Sequence, residues 1–200
     1  MKRIFDITAA TLGLLVLAPI FAAVALLIRL DSRGSILFKQ ERIGKGFRPF
    51  RIYKFRTMAQ DAPARGALVT AGEDPRITRV GRFLRHTKID ELPQLWNVLK
   101  GDMTLVGPRP EVRQYVELFR ADYEEILKVR PGLTDLASLK YRDEAAILGR
   151  ADNPEREYIG RLLPDKIRLG KEYVRRASLL LDLSLIFRTV LKLFASRSVG

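Results

Sequence analysis

The chain has no cysteine, one histidine and one tryptophan in 200 residues. Without cysteine there is no disulfide scaffold, no thiolate zinc site and no cysteine nucleophile. The lone histidine, His86, excludes a multi-histidine metal site and argues against a Ser-His-Asp triad. Any bound metal is therefore expected to be a hard ion held by oxygen. Acidic residues are also scarce: 23 stand against 36 lysines and arginines, a formal charge of +13. That surplus points to anionic partners, whether nucleic acid, lipid headgroups or phosphorylated small molecules. Internal repeats and low-complexity tracts are absent. A hydrophobic fraction of 47% excludes a disordered chain, and the length suffices for an ordinary core.

What is present begins with an uncharged run from Ile7 to Ile28, about the ~20 residues that a helix needs to cross a bilayer. Lys2 and Arg3 precede the run, and Arg29 and Arg33 follow it, so the positive charge that marks the cytoplasmic side lies at both ends. Pro19 stands mid-run, where it removes a backbone donor and bends or breaks a helix. Together these predict a helix-break-helix over residues 1–34 that enters one leaflet and returns to the same face. A spanning anchor and a cleaved signal peptide are the alternatives. Ala23-Val24-Ala25 resembles a cleavage site, but Asp6 sits where a signal should be positive.

Residues 178–200 offer a second contact. Asp182, Thr189, Lys192 and Ser196 recur at spacings of seven, three and four, while Leu179, Leu183, Ile186, Val190, Leu193 and Phe194 cluster elsewhere on the wheel. With Arg188, Lys192 and Arg197 this predicts an amphipathic helix in the membrane interface. The alternative is a terminal helix packed on the core or on a second copy.

Between them, residues 35–177 read as one catalytic-sized domain. Ser35 to Met58 predicts a hairpin turning at Gly44-Lys45-Gly46, with Phe50–Phe55 as the return strand and Pro49 keeping it short or at an edge. Ala59 to Pro75 reads as a loop. Arg76–Arg85 and Glu91–Lys100 predict short helices. Glu111–Val129 predicts a longer one, with Val112, Tyr115, Val116, Phe119, Tyr123 and Ile126 inward. Pro164 is placed in the first turn of a helix running to Arg176. The fold class is α-rich α+β.

Arg76, Arg79, Arg82, Arg85 and Lys88 form a ridge that wraps a helix, most of it a solvated face. It runs into Asp90-Glu91, where Asp90 could cap the next helix or do chemistry. Prolines on both sides of Arg109 pre-position a guanidinium suited to phosphate; a rigid structural corner is the plainer reading. Arg130-Pro131-Gly132-Leu133-Thr134 is a second stiff turn, leading to Lys140-Tyr141-Arg142, read as a surface strand. An acid pair in an arginine-rich, membrane-docked domain suits phosphoryl transfer, in which arginine and Mg²⁺ offset charge and a carboxylate can be the nucleophile.

At this point the residues resemble the bacterial sugar transferases, the small monotopic polyprenyl-phosphate phosphoglycosyl transferases. The resemblance is carried, in order, by Lys2–Asp6, Gln40–Gly44, Lys54–Met58, Asp74–Gly81, Asp90–Leu95, Gly101–Pro110 and Arg130–Thr134. It implies transfer of a sugar 1-phosphate from a nucleotide-diphosphate sugar, with uridine expected, to undecaprenyl phosphate, releasing a nucleoside monophosphate. It further implies Mg²⁺ dependence and a covalent phosphosugar intermediate. By similarity Asp90 is the nucleophile and contacts Mg²⁺, Glu91 deprotonates the acceptor phosphate, and Arg85, Arg109 and Arg142 hold phosphate. The N-terminal run matches a re-entrant helix that leaves the catalytic domain on the cytoplasmic face of the bacterial inner membrane, against inner-leaflet lipids. Nucleic acid is not an implied partner; a homodimer is left open. The chain departs from many relatives in having Ala18 before Pro19 and Asp135 where glycine is usual. Two other classes compete: a basic module gripping anionic lipid or nucleic acid, and a scaffold dimerising through the C-terminal helix. Neither accounts for Asp90-Glu91 beside Pro108-Arg109-Pro110.

Overall fold

The computed structural model describes residues 1–59, 70–72 and 74–195. The chain is helix-rich with two small sheets, in line with the expected class. Helix α1 spans Lys2–Asp31 and is the one described helix long and apolar enough to cross a membrane. The expected interruption at Ala18-Pro19 does not divide it: Pro19 lies inside one continuous helix.

At about 1.5 Å per residue α1 is roughly 45 Å long, more than the ~30 Å of a hydrocarbon core. Yet both of its ends are fastened to the same body. At the N-terminal end Lys2 donates to Val106 O (2.9 Å), to Tyr173 Oη (3.0 Å) and to Asp182. Arg3 donates to Val98 O and Leu99 O, at 2.6 and 2.9 Å. Asp6, 3% exposed, accepts from Thr104 Oγ1 (2.6 Å) and Leu105 N (3.2 Å). At the far end Asp31 accepts from Val80 N at 3.1 Å, and Arg56 donates to Ser32 O and Arg33 O at 2.7 Å each. Between the ends, Ala10, Leu14 and Leu17 pack with Leu95, Val98 and Met103, while Val24 and Ile28 pack with Phe55 and Leu84. The outer face, including Ile4, Leu12, Leu15, Val16, Leu26 and Leu30, is apolar and exposed.

Strands β1 (Leu37–Ile43) and β2 (Pro49–Phe55) form the expected antiparallel hairpin, in register from Leu37↔Phe55 to Ile43↔Pro49. Pro49 is the first residue of its strand, a position proline tolerates. Gly46 takes a left-handed φ of 65° at the turn. Helix α2 spans Arg79–Thr87, capped by Thr78 Oγ1, which accepts from Gly81 N at 3.0 Å. A 3₁₀ turn, Ile89–Gln94, leads into α3, Leu95–Lys100, which Gly101 ends at φ 89°.

Strand β3 (Thr104–Val106) pairs in parallel with β4 (Gly132–Thr134), which sets the two stiff proline loops side by side. A Cβ on Gly132 would stand 2.0 Å from Gly107 N, so this approach requires glycine. The helix expected over Glu111–Val129 is two: α4 (Arg113–Leu118) and α5 (Arg120–Ile126), divided at Phe119 (φ −118°, ψ 37°). Backbone bonds cross the break, with Phe119 N donating to Tyr115 O and Tyr123 N to Phe119 O, so the apolar stripe continues through it. The surface strand read at Lys140-Tyr141-Arg142 does not form: Lys140 ends helix α6 (Leu136–Lys140), and Tyr141 and Arg142 lie in the turn after it. The α6 cap, Asp135, accepts from Ser138 N at 2.7 Å and so commits the segment to helix. Helices α7 (Glu144–Leu148) and α8 (Pro154–Glu157) follow. A single π-helical turn, Tyr158–Leu162, then runs into α9 (Leu163–Arg176), with Pro164 in the first turn as expected.

Helix α10 spans Leu179–Ala195. Asp182 and Thr189 face inward beside the fully buried Leu185, while Lys192 is exposed: Asp182, 3% exposed, accepts from Lys2 and from Tyr173 Oη (2.7 Å), and Thr189 bonds Thr134 at 2.7 Å. Leu180, Phe187 and Leu191 point outward. Most of the loop read over Ala59–Pro75, together with Ser196 and Arg197, lies outside the described residues.

A buried ion pair joins the hairpin to the helical body. Glu111 accepts from Arg42 Nη1 (2.7 Å), Val112 N (2.8 Å) and Tyr158 Oη (2.5 Å). Burial pushes its carboxyl upward, but Arg42, Lys166 and these hydrogen bonds hold it below the usual range. Because the folded value is depressed, the stabilisation is present above the unfolded value of about 4.3 and fades as pH falls below it. Arg42→Leu is therefore expected to lower stability by about 3 kcal/mol at pH 7. Thermal melts across pH should show the gap to wild type narrowing below about pH 4.

Candidate active site

Helix α2 ends in Lys88, a non-glycine residue at φ 58°. Such a residue is uncommon and strained, and here it turns the chain at once into the 3₁₀ segment. Asp90 and Glu91 thereby face a cleft of about 1370 Å³ that also receives Arg85, His86, Arg109 and Arg142. All five of the candidate site residues, Asp90, Glu91, Arg85, Arg109 and Arg142, line this one cleft.

The two carboxylates live in opposite environments. Glu91 Oε1 accepts from Lys54 Nζ (2.7 Å) and from Arg109 Nη2, while Oε2 accepts from Arg109 Nη1 (3.1 Å). Burial opposes its ionisation, but Arg109 and Lys54 override it and hold the carboxyl well below the ordinary range. Asp90 is 7% exposed, and its Oδ1 is buried without a hydrogen-bond partner. Burial, and then the charge of Glu91, pushes its carboxyl up to about 6, against the pull of Lys54, Lys88 and Arg85. The capping reading of Asp90 fails: the residue before the 3₁₀ turn is Lys88, the one before α3 is Gln94, and neither position carries a side-chain cap bond.

Arg109 is fixed at three points. Prolines flank it, Glu91 grips its guanidinium, and its N–H donates to Asp135 Oδ2 at 3.1 Å. The unusual Asp135 thus braces the Arg109 loop and caps α6 with its two oxygens. Arg85 is anchored through Nε to Thr57 Oγ1 at 2.9 Å and acts on Asp90 through charge. Arg142 is held differently: it donates to Lys192 O on α10. Of the rest of the ridge, Arg79 and Arg82 are exposed as expected, while Arg76 pairs with Asp74 at 2.6 Å.

Sequence reasoning passed over Lys54. Its signal was its parity: it shares the strand face of buried Ile52, and an ionisable group on a buried face needs a partner. Burial lowers the Lys54 ammonium, Glu91 opposes that, and Arg109 adds to it.

Among the described residues no cluster of three or more His, Cys, Asp or Glu side chains could enclose a metal. Mg²⁺ does not need such a cage, since it is commonly held by one or two carboxylates together with substrate phosphates. Asp90 Oδ1 fits that use, being an unpartnered buried carboxylate oxygen, whereas both oxygens of Glu91 are taken.

The family model described as bacterial sugar transferase matches residues 1–196. The chain belongs to that family. A UDP-N-acetylgalactosamine-undecaprenyl-phosphate N-acetylgalactosaminephosphotransferase of Aeromonas hydrophila is 41% identical over 95% of this chain and 43% of its own length. An undecaprenyl-phosphate glucose phosphotransferase of Komagataeibacter xylinus is 42% identical over 98% of this chain and 36% of its own. The exopolysaccharide production protein PSS of Rhizobium leguminosarum bv. phaseoli is 42% identical over 95% of this chain and 93% of its own. The chain therefore spans less than half the length of the first two sugar transferases and nearly all of the third.

The folded carboxyl of Asp90 lies above its unfolded value of about 3.9, so its contribution is fully present below that value and is lost as pH rises through 6. In metal-free buffer Asp90→Asn is expected to raise thermal stability at pH 7.5, by about 2 kcal/mol. The advantage should vanish near pH 4; a mutant no more stable at either pH would contradict the environment described.

Proposed function

We propose that the protein transfers a sugar 1-phosphate from a UDP-sugar to undecaprenyl phosphate, with Asp90 as nucleophile. The observation that carries this is the contrast within the acid pair. One carboxylate is consumed by cations, and its neighbour keeps a free oxygen in a basic cleft. The relatives' names supply the substrate class.

An Asp90 carboxylate oxygen attacks the β-phosphorus of the donor. The bond from that phosphorus to the bridging oxygen breaks, and the nucleoside monophosphate leaves with the electron pair. An acceptor phosphate oxygen then attacks the same phosphorus and displaces Asp90. Splitting the reaction lets one anionic substrate leave before the next reacts. Lys54, Arg85, Arg109 and Arg142 supply the positive field that two polyanions and a carboxylate require. Asp90 would hold Mg²⁺ together with the donor phosphates, where the ion would offset phosphate charge.

Glu91 first acts as the holder of Arg109 and Lys54. Donor phosphates compete for the same guanidinium, and a Glu91 released by that competition is free to take the proton of an acceptor phosphate. The membrane reading is a re-entrant α1 with the catalytic body on the cytoplasmic side. Its support is that both ends of α1 bond one body and both ends carry positive charge.

The test is release of UMP by the purified protein with Mg²⁺, undecaprenyl phosphate and a panel of UDP-sugars. Release with at least one donor is expected, dependent on lipid. Asp90→Asn should abolish it by several orders of magnitude, as removal of a nucleophile does. Unchanged release by this mutant would return Asp90 to a structural role.

A further inference from the structure

The cleft is not uniform. Lys54, Arg85 and Arg109 gather around the acid pair, whereas Leu105, Leu133, Leu139, Ile186 and Val190 form an aliphatic wall. Ile186 and Val190 stand four apart on α10, so they share one helix face. On the same helix Leu183 and Phe187 are exposed, each three residues before a wall residue, Ile186 and Val190. The wall ends at cations: Arg142 donates to Lys192 O, and Lys192 donates back to Leu139 O.

We propose that this wall binds the first isoprene units of the polyprenyl phosphate acceptor, and that α10 is the helix along which the lipid enters. The inference rests on the transferase reading above. Three features favour this occupant. A sugar or nucleoside laid on an aliphatic wall would leave its hydroxyls and amides unpaired, at a cost. An apolar chain covers the wall without that loss. The wall also connects an outward apolar face to the cationic end of the cleft, which matches a long apolar chain ending in phosphate. The polar stripe of α10 contributes by holding the helix to the body through Asp182 and Thr189, which leaves the apolar faces for lipid.

The experiment uses the full chain in nanodiscs and an isoprenyl phosphate carrying a diazirine in its first isoprene units. Photolabel is expected on the peptides containing Leu133–Leu139 and Ile186–Val190. Unlabelled isoprenyl phosphate should compete and phosphatidic acid should not. Label confined to α1, or label that phosphatidic acid removes equally well, overturns the proposal; the latter would assign the wall to ordinary bilayer lipid. A second measurement is the kinetics of Ile186→Ser combined with Val190→Ser. The KM for isoprenyl phosphate should rise about tenfold, equivalent to ~1.4 kcal/mol, with the KM for the UDP-sugar unchanged. A rise in both constants, or in neither, also overturns it. Turnover with label elsewhere removes the α10 site alone. Absence of turnover with every donor removes the transferase reading itself, and this proposal with it.

Discussion

The ammonium of Lys2 is the point on which the architecture hangs. It joins the first helix to the β3 carbonyl of Val106, to Tyr173 on α9 and to Asp182 on the last helix. Taking the Asp182 carboxylate out of water is costly unless its oxygens find partners, and here Lys2, itself partly exposed, and Tyr173 supply them. Because this node holds the polar groups against the body, apolar side chains such as Leu15 and Val16 of α1 and Leu180 and Phe187 of α10 are left outward. The outward apolar surface of these helices is thus a consequence of where the polar groups are used.

The same logic runs through the cleft. Cations there are abundant, but most are already committed: Lys54 and Arg109 to Glu91, Arg142 to α10, Arg76 to Asp74. Asp90 is left with an unpartnered oxygen in a cleft rich in cations. A buried carboxylate without partners is unstable relative to one in water, and such local cost tends to be stored at functional sites. Glu91 makes it possible by keeping neighbouring guanidinium and ammonium groups in place without letting them quench Asp90.

Much of this was legible in the chain. The uncharged run, the Gly44-Lys45-Gly46 hairpin, the α9 start at Pro164 and the acid pair all carry local signals. What escaped was nonlocal. Three-residue strands have no period to read, so the β3–β4 pairing that aligns the two proline loops left no trace. The break at Phe119 preserved hydrogen bonds and the apolar stripe, so periodicity passed over it. Lys54 needed its partner Glu91, 37 residues away, before its role was visible. A helical wheel divides α10 into two faces but does not say which one points inward; Asp182 and Lys2 decide that, across 180 residues.

That separation has a consequence for biogenesis. Lys2, Arg3 and Asp6 are synthesised before their partners at positions 98–106, 173 and 182. Until those residues have been made, α1 lacks its docking sites. Closing so long a loop is slow, and an exposed apolar helix in water invites aggregation in the interval. A bilayer would remove that hazard by solvating the outer face of α1 in the interval. The lipid would then serve as a holding medium in which the helix waits until the chain that anchors it has been made.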